Sequence, residues 1–329
     1  MNSTIPRDQF NDAFIKNFIS IALGLIINYI NGTFVLVFLK NDIFYRDPRY
    51  ILYIHLVIND MIMLSISVGL QVATYIVRFF NVSVCCVVLF FASMVTKNTP
   101  LNLACMAIER YIAICKPLHH SQICTVRRTY MLICLIWTMS ITPAFSDILI
   151  TASVQPVSFF STTHFCHMLY IYNTWQHIVK DTVVNVVYLS FVWITLIVTY
   201  LKVLLAANAA VSDQTSAKKS RNTILLHGIQ LLLCMLSYIT PLLNSKLVEL
   251  YPQSQSTILF ILFLLSNVLP RLLSPLIYGV RDKQFAQRIR LYFCQLFYLL
   301  VPFSKSALYK MLAPALDKKG MHLTHWAVI

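Results

Sequence analysis

From Phe18 to Leu39 the chain reads FISIALGLIINYINGTFVLVFL, an apolar stretch without one charged residue. At about 1.5 Å per helical residue, about 20 residues cross the hydrocarbon core of a bilayer. Lipid offers no hydrogen bonds, so a segment of this kind must satisfy its own backbone as a helix. The run starts too late and is too long for a typical signal peptide, and no small-residue cleavage site follows it. Further runs follow at about Ile51–Val77, Val84–Cys115, Thr129–Ile150, Thr182–Leu205, Thr223–Ser245 and Ser256–Tyr278. The expected fold is an all-α membrane protein, a seven-transmembrane helix bundle. Composition agrees: 12% of residues are charged and 58% hydrophobic, against about 25% and 45–50% in soluble domains. So little charge cannot cover a water-facing surface of this size. Connections are short, except for about thirty residues between the fourth and fifth runs. There is no internal repeat of the sort that marks many transporters.

The formal net charge of +14 would suggest nucleic acid in a soluble protein, but here it collects in short links between apolar runs. That is the positive-inside pattern, so membrane lipid and not nucleic acid is the expected charged partner. Lys40, Arg46 and Arg49 lie in the 1–2 link; Lys116, Arg127 and Arg128 in the 3–4 link; Lys218, Lys219 and Arg221 in the 5–6 link. Arg281, Lys283, Arg288 and Arg290 open the tail. The other side holds only Arg7, Lys16, Arg78, Lys180 and Lys246. The expected layout is an extracellular N-terminus (1–17), a seven-helix membrane domain (18–278) and a cytoplasmic tail (279–329). The sequon at Asn2 agrees with an outer N-terminus and is the expected glycosylation site; a second, at Asn81, lies close to the membrane, and Asn31 matches the pattern but lies mid-membrane. In the tail, Phe285, Ile289, Tyr292, Phe293 and Leu296 share one helical face, with basic residues beside them. This predicts an amphipathic interfacial helix over about 281–298.

Polar groups inside membrane helices are costly and usually face the bundle interior or a cavity. Here they are Asn31, Asp60, Lys97, Glu109, Arg110 and Arg271, with Asp147 and Asp181 near the outer ends. Most cysteines sit inside apolar runs as small hydrophobes; Cys85, Cys86 and Cys166 flank runs and are disulfide candidates. His55 reads as a satisfied buried histidine. There is no Ser/His/Asp array, no paired-carboxylate site, no phosphate loop and no metal box, so neither catalysis nor a cofactor is expected.

The segment MAIERYIAICKPLHH, Met106–His120, closely resembles the odorant-receptor signature at the inner end of the third helix. Odorant receptors are a branch of the rhodopsin-like, class A G-protein-coupled receptors. Other matches keep the family's order and spacing: Asn31 in the first helix, LVIND ending at Asp60 in the second, Trp137 in the fourth and Tyr200 in the fifth. Ser274-Pro-Leu-Ile-Tyr278 stands for the seventh-helix NPxxY, with Ser for Asn. The stretches FYRDPRYILYIHLVINDM, TPLNLACMAIERYIAICKPL and LSPLIYGVRDKQF are most similar to fish odorant receptors.

The resemblance implies a receptor for a small extracellular odorant that activates a heterotrimeric G protein, of the olfactory stimulatory type with a cyclic-AMP output, in the plasma membrane of olfactory sensory neurons. It implies a switch at Glu109, Arg110 and Tyr111, with Tyr200 and Tyr278, and a short helix 8. It implies a disulfide from Cys85 to Cys166, with Cys86 as near-rival. A central polar core of Asn31, Asp60, Arg271 and Ser274 follows, in which an Asp60–Arg271 pair replaces the sodium ion that the family usually binds beside the aspartate. Lys97 falls at the level of the family's ligand pocket, with Ser93, Thr96, Asn185, Tyr188 and Tyr238 as companions; an ammonium there suits an anionic odorant. His119 and His120 belong to the family's Pro-Leu-His run and resemble a metal or pH feature only superficially. A rhodopsin-like receptor for a peptide, lipid or amine is an alternative, and a transporter or channel a more distant one.

Overall fold

Where each apolar run becomes a helix is decided at its ends. Asp47 caps α2 (Pro48–Ile76) by accepting from Arg49 N at 3.0 Å, with proline at the first helical position. Asn81 caps α3 (Val82–Cys115) through Ser83 N at 2.9 Å. Thr125 caps α5 (Val126–Val154) through Arg128 N at 3.4 Å. Such caps satisfy N–H groups that no helical carbonyl can reach. The computed structural model describes residues 10–77, 79–209, 240, 243, 247, 250–281 and 283–300. Besides these three, it has α1 (Phe10–Leu39), a short α4 (Pro117–Ile123) in the 3–4 link, a one-turn α6 (Met168–Ile171), and α7 (Trp175–Ala209). The seventh run forms α8 (Gln255–Phe263), a wide π turn (Leu264–Val268) and α9 (Leu269–Arg281). Six helices among the described residues are long and apolar enough to cross a membrane. The sixth run, with Tyr238, lies outside the described residues apart from Thr240 and Leu243, which are helical; Asn2 lies outside them too.

Helix α3 is the hub: it packs against α2, α5 and α7, while α1 packs against α2. Side chains such as Leu101, Ala104, Ile136, Val192 and Leu196 fill the α3–α5–α7 core. Leu25, Phe91, Leu149 and Ile194 point outward, as a bundle solvated by lipid requires.

Prolines inside these helices free carbonyls that other side chains then answer. A proline has no N–H for the carbonyl four residues earlier, and a bare carbonyl in lipid costs several kcal/mol. Pro143 in α5 deprives Met139, and Tyr188 of α7 donates to that carbonyl at 2.6 Å. Pro275 in α9 deprives Arg271, and Asn31 of α1 donates to its carbonyl at 3.4 Å. Pro270 deprives Ser266; there the helix widens into the π turn, and Arg271 Nη1 donates to the Ser266 carbonyl at 2.7 Å.

The chain divides into two units, Met1–Tyr278 and Gly279–Ile329. The second contains α10 (Lys283–Leu300), close to the predicted amphipathic helix. On it Phe285 is buried and Ile289 and Tyr292 half-buried, while Arg288 and Arg290 are exposed.

Candidate functional site

The polar side chains of the first unit fall at three levels. At one end of the bundle, Cys85 near the start of α3 is joined to Cys166, with Cα atoms 5.5 Å apart. Two short strands, β1 (Phe80–Asn81) and β2 (Thr163–His164), pair antiparallel beside it, Phe80 opposite His164. Cys86 remains a buried thiol, and Tyr172 donates to its carbonyl at 3.5 Å. Cys85, Cys86, Leu89, Cys166, Ile171 and Tyr172 form one buried cluster. The link between α5 and α7 is thus stapled to α3. It is shorter than the expected thirty residues, because α7 begins at Trp175 and not near Thr182.

The additional turns of α7 correct the reading of Lys180, which is helical and not a loop residue. His177, Lys180, Asp181 and Asn185 recur at helical spacing. Lys180 bonds to the Asp147 carboxylate of α5 and lies 2.9 Å from Asp181 Oδ1. His177 is 1% exposed. Its Nε2 lies 3.1 Å from the Asp147 carbonyl and 3.2 Å from Thr151 Oγ1, and its Nδ1 2.6 Å from Thr174 Oγ1. Lys97, 8% exposed, donates from α3 to the Asn185 amide oxygen on α7. Among the described residues Lys97 has no ion-pair partner, since both nearby carboxylates belong to Lys180. Ser93 is buried close by. Thr96 returns its hydroxyl to Ala92 O at 2.7 Å, on its own helix. Tyr188 is occupied by the Met139 carbonyl.

At mid-bundle the structure brings Asn31, Asp60, Arg271 and Ser274 together, all buried. Arg271 Nε lies 3.9 Å from Asp60 Oδ1, an ion pair too long for a hydrogen bond. Ser274 adds a further buried polar group to this core. Tyr53 donates to the Pro275 carbonyl at 3.1 Å, and Asn59 ties α2 to α3 through Thr99 Oγ1 at 2.8 Å. His55 departs from expectation: among the described residues neither ring nitrogen has a hydrogen bond of ordinary geometry, and the ring stands edge-on to Trp137 with centroids 5.8 Å apart.

At the end opposite the disulfide, Arg110 Nε lies 3.7 Å from Glu109 Oε2. Tyr111 is half-buried. Tyr200 is 44% exposed and does not join the pair. Tyr278 is helical; its side chain is outside the described residues. Two features there escaped sequence reading. His120 Nε2 lies 2.9 Å from Glu109 Oε1. Asp47, besides capping α2, takes the Arg49 guanidinium, whose Nε lies 3.0 Å from Oδ1 and 2.9 Å from Oδ2. Burial pushes the Asp47 carboxyl up, but the bonds and charge of Arg49, with help from Arg110, outweigh it and hold it below the usual carboxylate range. His120 belongs to the Pro-Leu-His run, but nothing in the sequence links it to Glu109, eleven positions away across a link.

A membrane helix bundle with a disulfide staple at one end and a Glu-Arg-Tyr triplet at the other is the outline of a receptor. The profile of the 7 transmembrane receptor (rhodopsin family) matches residues 30–278. Odorant receptor 131-2 of Danio rerio is 30% identical over 309 residues, 90% of this chain and 93% of the relative. The human olfactory receptors 52I2 and 51D1 are 27% and 24% identical, covering 82% and 76% of this chain and 79% and 78% of their own. The chain belongs to the rhodopsin family of seven-transmembrane receptors, and within it to the odorant receptors. It is therefore a multi-pass membrane protein and a receptor, not an enzyme, with a small-molecule ligand and a G protein as its partner classes.

Proposed function

We propose that the disulfide end faces outside, that residues 1–17 precede the bundle there, and that residues 279–329 form a cytoplasmic tail. The distribution of lysine and arginine among the links supports this. Odorants enter beneath the stapled link and bind between α3 and α7, where Ser93, Thr96, Lys97, Asn185 and Tyr188 line the site; Tyr238, outside the described residues, is a further ligand-binding residue of this reading. Lys97 reads an acidic group. The observation that carries this is its burial beside an amide oxygen, while both neighbouring carboxylates are held by Lys180.

Binding acts through differential affinity for two arrangements of the bundle. In one, Glu109 holds Arg110; in the other the guanidinium is released to carbonyl groups of a docked G protein, with Tyr111, Tyr200 and Tyr278 around it. The output is an olfactory stimulatory G protein and a rise in cyclic AMP, in olfactory sensory neurons. Asp60 and Arg271 form a permanent internal pair where an ion would otherwise sit, with Asn31 and Ser274 completing that core. Asn2 carries the glycan.

A ligand screen in cells reporting cyclic AMP tests the reading, with Arg110→Ala as control. Acidic odorants are expected to raise cyclic AMP in the unmodified receptor and not in Arg110→Ala at equal surface expression. Ligand-evoked responses that survive in Arg110→Ala would count against the switch.

A further inference from the structure

Lys97 of α3, Asp147 of α5, and Lys180 and Asp181 of α7 lie in the disulfide half of the bundle, and their formal charges sum to zero. The charges are nevertheless separated. Lys180 serves both carboxylates: it donates to Asp147, adds a bond to the Pro143 carbonyl at 3.3 Å, and stands 2.9 Å from Asp181 Oδ1. One lysine between two carboxylates leaves one negative charge unanswered. Lys97 meets the Asn185 amide oxygen and, among the described residues, has no carboxylate in contact, so its positive charge is unanswered too.

The unanswered negative charge is accessible at Asp181. Its side chain is 38% exposed, against 2% for that of Asp147. Asp181 and Asn185, the residue that holds Lys97, are four apart on α7 and therefore share a face, about 6 Å apart along the axis. Asp181 is the nearer to the disulfide end, since α7 starts there at Trp175. Of the neighbouring charges, that of Asp181 acts on Lys97 most strongly. The site thus offers a cation deep in the bundle and, one helical turn nearer its mouth, an anion.

We propose that the ligand of this site is a zwitterion, a short α- or β-amino acid whose carboxylate is taken by Lys97 and whose ammonium is taken by Asp181. This rests on Lys97 being the group that reads an acid, and it supplies the other half of what the site reads. A simple acid answers Lys97 but adds a net negative charge to a cluster that already holds an unanswered carboxylate, and burying unpaired charge is costly. An amino acid adds no net charge and answers both groups. Asp181 can turn to the ligand because Lys180 keeps Asp147, its hydrogen-bonded partner, so no buried carboxylate loses its cation. Two charge-assisted bonds of opposite sense also fix the ligand's direction, carboxylate inward and ammonium toward the mouth.

The test is ligand-induced stabilisation of the full chain against heat, purified in detergent and titrated with matched probes at about pH 7, where both ions of an amino acid are charged. Leucine is set against isocaproic acid, which lacks its amino group, and isoamylamine, which lacks its carboxylate. Alanine, methionine and phenylalanine are each tested with the corresponding acid and amine. At least one amino acid is expected to bind about tenfold more tightly than its acid, as one added charged hydrogen bond implies, and to bind more tightly than its amine. Asp181→Asn should bring that amino acid down to its acid's affinity, Asp181→Glu should keep the preference, and Lys97→Met should weaken amino acid and acid alike. Acids that bind as tightly as their amino acids overturn the zwitterion and leave Lys97 as the reader of an acid. A preference that survives Asp181→Asn overturns the proposal as well. Amines that bind best, or no binding by any acid or amino acid, overturn both readings. The comparison of probes on the unmodified chain decides by itself if a variant fails to fold.

Discussion

Lys180 and Lys97 both lie in the disulfide half of the bundle, and their partners differ in kind. Lys180 sits between the carboxylates of Asp147 and Asp181. Lys97 has an amide oxygen, that of Asn185. A lysine between two acids has its charge answered inside the protein, whereas one held by an amide keeps a field that a ligand can answer. In the proposed function the first serves stability and the second recognition.

The largest way to break this comparison is Lys180→Met. It leaves the Asp147 carboxylate buried without its cation, a loss of about 3–5 kcal/mol for one partner of a buried pair. Surface labelling should show the receptor retained inside the cell, and adding Asp147→Asn should return much of it. A comparable loss is expected from Arg271→Met at mid-bundle, where Asp60 would be stranded; Asp60→Asn in the same chain should partly restore surface expression, and no restoration would count against the pairing.

Lys97→Met removes a charge but strands none, so surface expression should hold. Its effect should fall on potency: about 10- to 100-fold for acidic odorants, from loss of a charged hydrogen bond of about 1.5–3 kcal/mol, and little for neutral ones. Equal losses for both would end the charge-recognition idea. The smallest effect is expected from Tyr188→Phe, which leaves the Met139 carbonyl without its donor. Thermal unfolding in detergent should register about 1–3 kcal/mol, with the preference between acidic and neutral ligands unchanged.

Much of this was legible along the chain. The apolar runs located the spans, and the proline positions identify which carbonyls lose their helical partner, because that relation is local. The residue that answers each carbonyl was not legible: Tyr188 and Asn31 reach theirs only once helices distant in sequence lie side by side, while Arg271 turns back to a carbonyl five positions earlier in its own run. The α7 cluster was half visible. His177, Lys180, Asp181 and Asn185 have helical spacing, but reading the helix from the edge of its apolar stretch placed three of them outside it. Pairing among themselves and with Asp147 lets these polar residues continue the helix beyond that edge.

The sequence by itself determined the solvent, the number of apolar runs, the Glu-Arg-Tyr triplet and the family, since these depend on composition and order. Tertiary structure decided which of two adjacent cysteines meets Cys166, that Lys180 and not Lys97 neutralises Asp147, and that His120 reaches Glu109. Each is a choice between near-equivalent residues. For the cysteines and the histidines direction settles it, because residues one apart on a helix point about 100° apart and only one can face the partner; for the lysines it is the extension of α7 to Trp175 that carries Lys180 to Asp147.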